Sequence, residues 1–387
     1  MKDISMISKR TQDITSFIVM DVLERADELT RQGKDIIHLE VGEPDFDIPE
    51  CVKEAVCKAV HNGQTHYTHS LGIVELREAI CEYYLKNYNV TIHPDQIMVT
   101  SGTSPAMFIL FSTLLECGDQ VIISDPHYAC YPNFINFLKG SPLKIPVYES
   151  DNYEFQTNRV REAIGPKTKA IFINSPSNPT GTLLSENCLK EIVNLPLHII
   201  SDEIYHGLVY EGKEHSVLEY SEDTFVLNGF SKLYAMTGLR LGYLIAPKKY
   251  IRPMQKVQQN FFISANSITQ LAGIAALTEA DEDVKKMKFI YNKRRKYMLK
   301  RLRQMGFQIP VEPTGAFYVF VNAGHLSHDS YELAFDILEK AHVGVTPGID
   351  FGKNGEGYLR FSYANSIENI EKGMNRLETY LANRSSS

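Results

Sequence analysis

The sequence predicts an α/β fold in which a large domain with a mostly parallel, doubly wound sheet adjoins a smaller α+β domain. After about residue 285 the pattern changes to long helices with a few alternating strands, such as GAFYVFV (315–321) and GYLRFSY (357–363). Before that point, short β-rich runs recur, and most are apolar on both faces, as buried parallel strands are. These runs are QIMVT (96–100), QVIIS (120–124), AIFIN (170–174), HIIS (198–201), FVLN (225–228) and GYLIA (242–246).

The helix-like segments between these runs complete the prediction, because strands alternating with helices indicate a doubly wound layer architecture. We assign residues 1–47 to an N-terminal arm and part of the small domain, 48–285 to the large domain, and 286–387 to the C-terminal small domain. The basic stretch at 285–305 has apolar residues at helical spacing, which predicts an amphipathic helix with a solvated basic face. The terminal SSS is predicted to be disordered.

Composition narrows the functional classes. The chain has 387 residues, 43% of them hydrophobic, and a formal net charge of −7, which argues against general binding to nucleic acid or anionic membranes. No apolar run approaches the roughly 18 residues of a membrane span, and no signal-peptide core is present. None of the six cysteines forms a CxxC pair, so we expect free thiols and a cytoplasmic location.

The residues that follow each predicted strand carry the functional information, because ligands of open α/β sheets bind beyond the carboxyl ends of the strands. After QIMVT, the residues Gly102, Thr103 and Ser104 open an apolar helix. Free N–H groups at a helix start can hold a phosphate, although small residues are also ordinary helix caps.

Three further strands end in polar residues. Asn178 lies in the turn SPSNPTG after AIFIN, Asp202 and Tyr205 follow HIIS, and Lys232 follows FVLN. Each alone has a structural explanation, since Asn stabilises turns and Asp caps helices. Four loops that together offer a phosphate cradle, an amide, a carboxylate with a phenol and a lysine are harder to explain as coincidence.

Pyridoxal phosphate is the cofactor whose chemistry uses this whole set. Its aldehyde forms a Schiff base with a lysine, and a carboxylate keeps its pyridine nitrogen protonated, so that the ring can accept electrons from a substrate carbanion. Its phosphate needs N–H groups, hydroxyls and a cation. We therefore predict that Lys232 holds the cofactor, that Arg240 pairs with the phosphate, and that both cations are buried because they have partners.

With these residues in place, the chain resembles the class I and II aminotransferases, fold-type I pyridoxal-phosphate enzymes of the aspartate aminotransferase superfamily. The resemblance covers nearly the whole chain. It is carried, in order, by VGEPDFDIP, YTHSLGIVELREAI, SGTSPAM, DPHYACYP, SPSNPTG, SDEIYHGLVY, GFSKLYAMTGLRLGY and YLRFSYANS.

The resemblance implies a role for each matching position. Lys232, Asp202 and Tyr205 would be catalytic, with Lys232 as Schiff-base lysine and proton shuttle, Asp202 at the pyridine nitrogen, and Tyr205 with Asn178 at the phenolate oxygen. Tyr128 would stack on the ring. The phosphate would be bound by Gly102, Thr103, Ser104, Ser231 and Arg240, and by Tyr67 of the neighbouring subunit of a homodimer with shared active sites. The substrate would be bound by Arg360 and Gly42 at its α-carboxylate and by Asn178 and Phe17.

One position departs from the family pattern. Many relatives have Ser or Thr three residues before the lysine, where this chain has Gly229. The phosphate would then have one donor fewer, or Ser231 would replace it. A metal site at His61, His66 and His69 is disfavoured, because no acid or cysteine lies at ligand spacing. No GxGxxG follows a strand, so dinucleotide binding is unsupported.

Three functional hypotheses remain open. The first is transamination between an L-amino acid and a 2-oxo acid such as 2-oxoglutarate or pyruvate. The second is a pyridoxal-phosphate carbon–sulfur β-lyase, which uses the same apparatus. The third is a ligand-sensing regulator, which would need an appended DNA-binding module, whereas the enzyme-like N-terminal segment begins almost at once. Ser104 stands where aspartate-preferring relatives tend to carry lysine, and the stretch 15–23 supplies Phe17, Ile18 and Met20 but no cation. We therefore expect a neutral or aromatic donor.

Overall fold

The computed structural model describes residues 7–384, so the SSS predicted to be disordered lies outside the described residues. The strands are β1 (Ile37–His38), β2 (Ile97–Thr100), β3 (Gln120–Asp125), β4 (Ser141–Pro146), β5 (Thr168–Asn174), β6 (His198–Asp202), β7 (Thr224–Gly229), β8 (Gly242–Ile245), β9 (Tyr318–Asn322), β10 (Val343–Gly344), β11 (Thr346–Pro347) and β12 (Tyr358–Ser362).

The helices account for most of the remaining chain. They are α1 (Lys9–Gln12), α2 (Ile18–Arg31), α3 (Glu50–His61), α4 (Val74–Tyr88), α5 (Thr103–Leu114), α6 (Tyr131–Phe137), α7 (Thr157–Ala163), α8 (Glu186–Val193), α9 (Lys248–Phe261), α10 (Ser267–Glu279), α11 (Asp281–Gln304), α12 (Ser330–Ala341) and α13 (Ile367–Arg384). None of the helices within residues 7–384 is long and apolar enough to cross a bilayer.

The large sheet confirms the predicted α/β architecture. Its seven strands lie in the order β2-β8-β7-β6-β5-β3-β4, and β8 runs antiparallel to both of its neighbours, whereas the other pairings are parallel. Both faces are buried, since Ile171 and Ile173 of β5 join one apolar core while Ala170 and Phe172 join the other. This two-sided burial explains why the central strands are apolar runs in the sequence.

Strand β4 was not among the predicted runs. It lies at the edge of the sheet and its sequence, SPLKIP, contains two prolines and a lysine. An edge strand is covered less completely and tolerates proline, so it lacks the continuous apolar pattern by which the central strands are recognised.

Two smaller sheets lie outside the large one. Strands β11, β12 and β9 form an antiparallel sheet, and β1 pairs in parallel with β10. The N-terminal chain thus joins the C-terminal part of the molecule through β1. The domain boundary predicted near residue 285 falls inside α11, close to its start at Asp281, and the three assigned ranges stay predictions.

Helix α11 corrects one expectation about the basic stretch. The helix begins four residues earlier than the segment 285–305, with acidic residues in its first turn, which favour the positive end of a helix. Its basic face is not wholly solvated, because Arg294 and Arg295 are buried. Arg294 is paired with Asp45, and Arg295 with Glu211, so both cations are neutralised by residues distant in sequence.

Candidate active site

Because β2, β3, β5, β6 and β7 are parallel, their carboxyl ends meet at one edge of the sheet, where the structure has a cavity of about 250 Å³. Twelve of the residues predicted for the site line it: Phe17, Gly42, Thr103, Ser104, Tyr128, Asn178, Asp202, Tyr205, Ser231, Lys232, Arg240 and Arg360. Gly102 directly precedes Thr103 and is buried, while Tyr67 does not line the cavity. Residues scattered along the chain are therefore brought together by strand topology.

Lys232 lies in the loop that follows β7. Its amine donates a hydrogen bond to the backbone carbonyl of Gly42 at 2.7 Å and stands 5.8 Å from the centre of the Phe317 ring. Burial lowers the pKa of this amine to about 8. A lysine with a lowered pKa has a larger fraction of free amine near neutral pH, and the free amine is the nucleophile and the base.

Asp202 ends β6 and is 4% exposed. One carboxylate oxygen accepts the Tyr131 hydroxyl at 2.8 Å, and the other accepts the Ile204 N–H at 3.2 Å. Burial raises the pKa of Asp202 to about 6, although both hydrogen bonds oppose that shift by stabilising the anion. A buried carboxylate held in this way can pair with a protonated ring nitrogen in the cavity.

The start of α5 forms a cradle suited to a phosphate. Gly102 has φ +99°, and a Cβ at this position would lie 2.8 Å from a guanidinium nitrogen of Arg240. Gly242 is equally constrained, because its Cβ would lie 2.8 Å from the Gly102 backbone. Only glycine allows this close approach, which places the N–H groups at the start of a helix beside a cation. Ser231 and Arg240 also line the cavity.

Lys232 and Arg240 are more exposed than the sequence analysis predicts, since it expects both cations to be buried. Lys232 is half-buried, whereas Arg240 is exposed. Arg240 has a positive φ of +53° and donates to the carbonyl of Thr237 at 3.0 Å, so it stands at the rim of the cavity rather than within it. A guanidinium remains hydrated at a rim, so its charge does not require a buried partner there.

Arg360 lies in β12 and is 2% exposed. It donates to the side-chain oxygen of Asn178 at 2.8 Å and to the carbonyl of Glu40 at 2.5 Å, and its guanidinium lies 4.4 Å from the centre of the Tyr318 ring. Its Nε has no hydrogen-bond partner among residues 7–384. Buried and oriented in this way, it can recognise a carboxylate.

Tyr205 is buried and shares a hydrogen bond of 2.8 Å with the hydroxyl of Tyr318. Gly42 packs directly against the same hydroxyl, where a Cβ would lie 1.9 Å from the oxygen. Any larger residue at position 42 would therefore displace Tyr318. The pair of phenols and the Asn178 amide present hydrogen-bonding groups to the middle of the cavity.

Phe17 and Tyr128 contribute aromatic rings to the lining of the cavity. Their rings meet edge to face with centroids 5.9 Å apart, and Tyr128 also packs edge to face on Tyr131 at 5.2 Å. These aromatic faces can cover a flat ring and exclude water from it.

Tyr67 is the predicted residue that the structure does not bring into the cavity. It is 82% exposed, in the loop between α3 and α4. His61, His66 and His69 share this region, and the described residues contain no group of three or more side chains that could hold a metal ion.

Two residues of the site were missed by the sequence analysis. Tyr131 donates to Asp202, and Tyr318 contacts both Tyr205 and Arg360. Tyr131 lies three residues after Tyr128 within DPHYACYP, so the motif contained the signal. Tyr318 lies in an apolar strand, where a tyrosine is indistinguishable from ordinary core in the sequence.

A larger groove, of about 890 Å³, runs along α12 and α13. It is lined mostly by charged side chains, several of which are ion-paired, such as Arg384 with Asp336 and Arg376 with Asp35. None of the residues predicted for the site lines this groove. The smaller cavity at the strand ends is therefore the candidate active site.

Comparison with known proteins identifies the family. Residues 34–377 match the family model for aminotransferase class I and II. The chain is 44% identical to the (5-formylfuran-3-yl)methyl phosphate transaminase of Methanocaldococcus jannaschii, over 97% of this chain and 100% of the relative. It is 40% identical to an aspartate aminotransferase of Pyrococcus horikoshii, over 97% of each chain.

A solved structure extends the match to the fold. The aspartate aminotransferase of Thermus thermophilus with maleate superimposes with a TM-score of 0.93 at 37% identity, covering 97% of this chain and 99% of that one. Identity and coverage at these levels leave one conclusion. The chain belongs to the aminotransferase class I and II family of fold-type I enzymes.

Proposed function

We propose that this chain is a pyridoxal-phosphate-dependent aminotransferase that moves an amino group between a neutral or aromatic L-amino acid and a 2-oxo acid. The observation that carries the proposal is the Lys232 amine, whose pKa is lowered to about 8, in one cavity with the buried Asp202 carboxylate and Arg360. Transfer of the amino group from phenylalanine to 2-oxoglutarate by the purified protein, followed by product analysis, tests it.

The residues present fit pyridoxal phosphate. The close approach of Gly102 to Arg240 makes an anion cradle, Asp202 supplies a buried negative charge, and Lys232 supplies an amine. When bound, the cofactor supplies an aldehyde and a protonated pyridine ring that accepts electron density from the substrate. Thr103, Ser104 and Ser231 add hydroxyl groups to the phosphate side.

The chain's own residues then have defined tasks. Lys232 would act as the base that takes the proton from the substrate Cα and as the acid that returns it to the aldehyde carbon of the cofactor, since its amine is partly free near neutral pH. Asp202 would keep the ring nitrogen protonated, and the Tyr131 hydroxyl, which donates to Asp202, favours the anionic form of that carboxylate. Tyr205 and the Nδ2 of Asn178 would donate to the ring oxygen, because the Asn178 side-chain oxygen already accepts from Arg360.

Orientation of the substrate falls to Arg360 and the covering aromatic residues. Arg360 holds the α-carboxylate together with the backbone at Gly42, which aligns the Cα–H bond for removal. Phe17 and Tyr128 would exclude water from the reacting Cα.

The donor preference follows from the charges of the cavity. Its lining contains Lys232, Arg240 and Arg360 as cations, and each already has a task in the proposed mechanism. A second carboxylate on the substrate would lose its hydration without a dedicated countercharge, at a cost of several kcal/mol. An aromatic side chain would gain about 1–3 kcal/mol by burial against Phe17, Val19 and Met20.

The names of the relatives do not decide the donor, since they refer to different substrates. The discriminating measurement is kcat/KM for aspartate against phenylalanine, methionine and alanine with one acceptor. A tenfold lead of aspartate, about 1.4 kcal/mol, would refute the preference. Ser104→Lys should raise kcat/KM for aspartate relative to phenylalanine, whereas Ser104→Ala should leave that ratio nearly unchanged.

A carbon–sulfur β-lyase would use the same residues, and no contact in the cavity favours it over transamination. The two activities are separated by incubating the protein with cystathionine in the absence of a 2-oxo acid. Release of pyruvate at a rate that matches or exceeds transamination would make the lyase the principal activity.

We further propose a homodimer with shared active sites. Three large side chains near one another in the chain's fold are exposed: Tyr67 is 82% exposed, and Phe261 and Ile263, at the end of α9, are 68% and 49% exposed. Helix α9 is linked to the loop that contains Tyr67, because Gln255 and Gln259 donate hydrogen bonds to Ser70. Such a group of exposed apolar residues is typical of an interface. Mixing Tyr67→Ala with Lys232→Ala subunits should restore part of the activity, because hybrids would carry one intact site. A fully active monomer would contradict this.

A cytoplasmic location also stays a proposal. All six cysteines are free thiols, including the buried Cys188, which suits a reducing compartment. Cell fractionation with an antibody against the chain would test it, and recovery from an oxidising compartment would contradict it.

A further inference from the structure

The first turn of α2 is held by a residue from the opposite end of the chain. One carboxylate oxygen of Asp350 accepts the N–H of Ile18 at 3.0 Å, and the other accepts the N–H of Val19 at 3.3 Å. Phe17, the residue at the N-cap position, makes no side-chain capping bond. Asp350 therefore caps the helix from a distance of more than 300 residues in sequence, with a negative charge at the positive end of the helix.

The residues just before α2 are held from the other side. Thr15 donates its N–H and its hydroxyl to the side-chain oxygen of Asn133 at 3.3 and 3.1 Å, and its carbonyl accepts from the Asn133 amide at 3.3 Å. Phe17 packs edge to face on Tyr128. Residues 15–20, which we name the cover segment, thus extend between α6 and the loop that joins β11 to β12.

The cover segment forms one wall of the cavity. Phe17, Val19 and Met20 line it, together with residues that follow the parallel strands. Asp350 is 8% exposed, and among residues 7–384 it is the side chain that accepts from the first two N–H groups of α2. Removing the carboxylate would leave these donors without their partner, and water would enter beside the wall of the cavity.

The rest of α2 is anchored independently. Val22, Ala26 and Leu29 pack against Leu338 of α12, and Arg25 pairs with Glu339 at 2.6 Å. Loss of the Asp350 bonds would therefore loosen the cover segment without detaching the helix. Thr15 is also held by Asn133 and Phe17 by Tyr128, so loss of the Asp350 bonds would act chiefly on the first turn of α2, which carries Val19 and Met20.

We propose that Asp350 is a positioning residue that seats the cover segment and thereby sets the preference for donors with large apolar side chains over small ones. The proposal rests on the aminotransferase function proposed above. A large side chain needs the wall formed by Phe17, Val19 and Met20 to be in place, whereas alanine leaves that wall untouched. The α-carboxylate is assigned to Arg360, whose charge also acts on Asp350. An effect through Arg360 would therefore appear with both donors, whereas an effect through the wall of the cavity appears with phenylalanine and not with alanine.

The test compares three variants as holoenzymes. Asp350→Ala removes both hydrogen bonds, Asp350→Asn keeps one acceptor, and Asp21→Asn is the matched control. Asp21 lies in the same first turn and carries the same charge. In the described part of the chain its carboxylate accepts from the hydroxyl of Ser16, at 2.7 and 2.8 Å, and not from the first N–H groups of α2. The readouts are kcat/KM for phenylalanine and alanine with one acceptor, the absorbance of the bound cofactor, and hydrogen exchange of peptides containing residues 15–20.

In Asp350→Ala we expect the phenylalanine-to-alanine ratio to fall about tenfold, mainly through KM for phenylalanine, with faster exchange of the cover segment and unchanged cofactor absorbance. The phenylalanine-to-alanine ratio of Asp350→Asn should lie between those of Asp350→Ala and the unmodified chain. The ratio of Asp21→Asn should equal that of the unmodified chain. An unchanged ratio in Asp350→Ala, or an equal fall in Asp21→Asn, overturns the proposal. An unmodified chain that transaminates no donor overturns the proposed function itself, and with it this preference.

Discussion

Asp202 and Arg360, on the strand side of the cavity, are 4% and 2% exposed, whereas Met20 in the cover segment is 43% exposed. The first two are each held by several hydrogen bonds between buried groups. The cover segment is held by Asn133 and Asp350 at its two ends. The comparison teaches that Asp202 and Arg360 are fixed by buried contacts, whereas the cover segment, which we propose to meet the substrate side chain, is partly exposed and held at two points.

This difference predicts how substitutions divide. Changes among the strand-side residues should damage the reaction with every substrate, because they act on steps common to all. Changes at the cover segment should alter the choice between substrates and leave the reaction intact. The following predictions test this division, from the largest expected effect to the smallest.

Lys232→Ala should lower transamination on the order of 10⁴-fold or more for every donor, because the nucleophile and the base are lost together. Borohydride treatment of the unmodified holoenzyme should attach the cofactor to the peptide containing Lys232. Lys249→Ala serves as the control, since this lysine is exposed and pairs with Asp223 away from the cavity. Label on another lysine would refute the assignment.

Asp202→Asn should lower kcat by about 10³-fold, because the variant keeps the size of the side chain but removes the charge that holds a proton on the ring nitrogen. Stopped-flow measurement of the half-reaction with phenylalanine and with alanine should show equal losses. Near-normal turnover, or a loss confined to one donor, would contradict a role on the strand side.

Tyr131→Phe removes only the hydroxyl that donates to Asp202 at 2.8 Å. A hydrogen bond to a charged group contributes about 1.5–3 kcal/mol, so kcat should fall about 10- to 100-fold. Without this donor the pKa of Asp202 should rise, and the pH at which activity appears should move upward. Tyr128→Phe is the matched control, because it keeps the ring contacts beside Tyr131; an equal effect of both changes would remove the special role of Tyr131.

The pH dependence of cofactor attachment gives the smallest expected change. Burial lowers the pKa of Lys232 to about 8, so the free amine is abundant above pH 8 and declines about tenfold for each pH unit below it. The rate at which the cofactor-free chain reacts with pyridoxal phosphate should rise up to about pH 8 and then level off. A rate that keeps rising towards pH 10 would mean that the amine is solvated.

The same depressed pKa affects stability. A lysine whose pKa is lower in the folded chain stabilises it fully above the unfolded pKa, and that contribution is lost as pH falls through about 8. Lys232→Met should therefore weaken the dependence of the unfolding free energy on pH between about 8 and 10. This is measured by denaturant titration of the cofactor-free chain.

Much of the fold and the location of the site follow from local patterns. Apolar runs predict the central strands, because a strand buried on both faces must be apolar. Ligands of such sheets bind at the carboxyl ends of the strands, so the sequence alone predicts that Asn178, Asp202 and Lys232 lie close together. The sequence does not predict strand β4, and it predicts a solvated basic face for α11, where Arg294 and Arg295 are in fact buried. In both cases the environment depends on neighbours that are distant in sequence.

Sequence alone was sufficient to recognise the family and the set of polar groups around the cavity, because glycines, prolines and strand-end residues are constrained locally by the backbone. Folding alone decided which partners those groups have: Tyr131 at Asp202, Tyr318 at Tyr205, and Asp350 at the start of α2. It also left Arg240 at an exposed rim. The physical reason is that hydrogen bonds and burial depend on distances in space, and contacts between residues 18 and 350 leave no periodic trace along the chain.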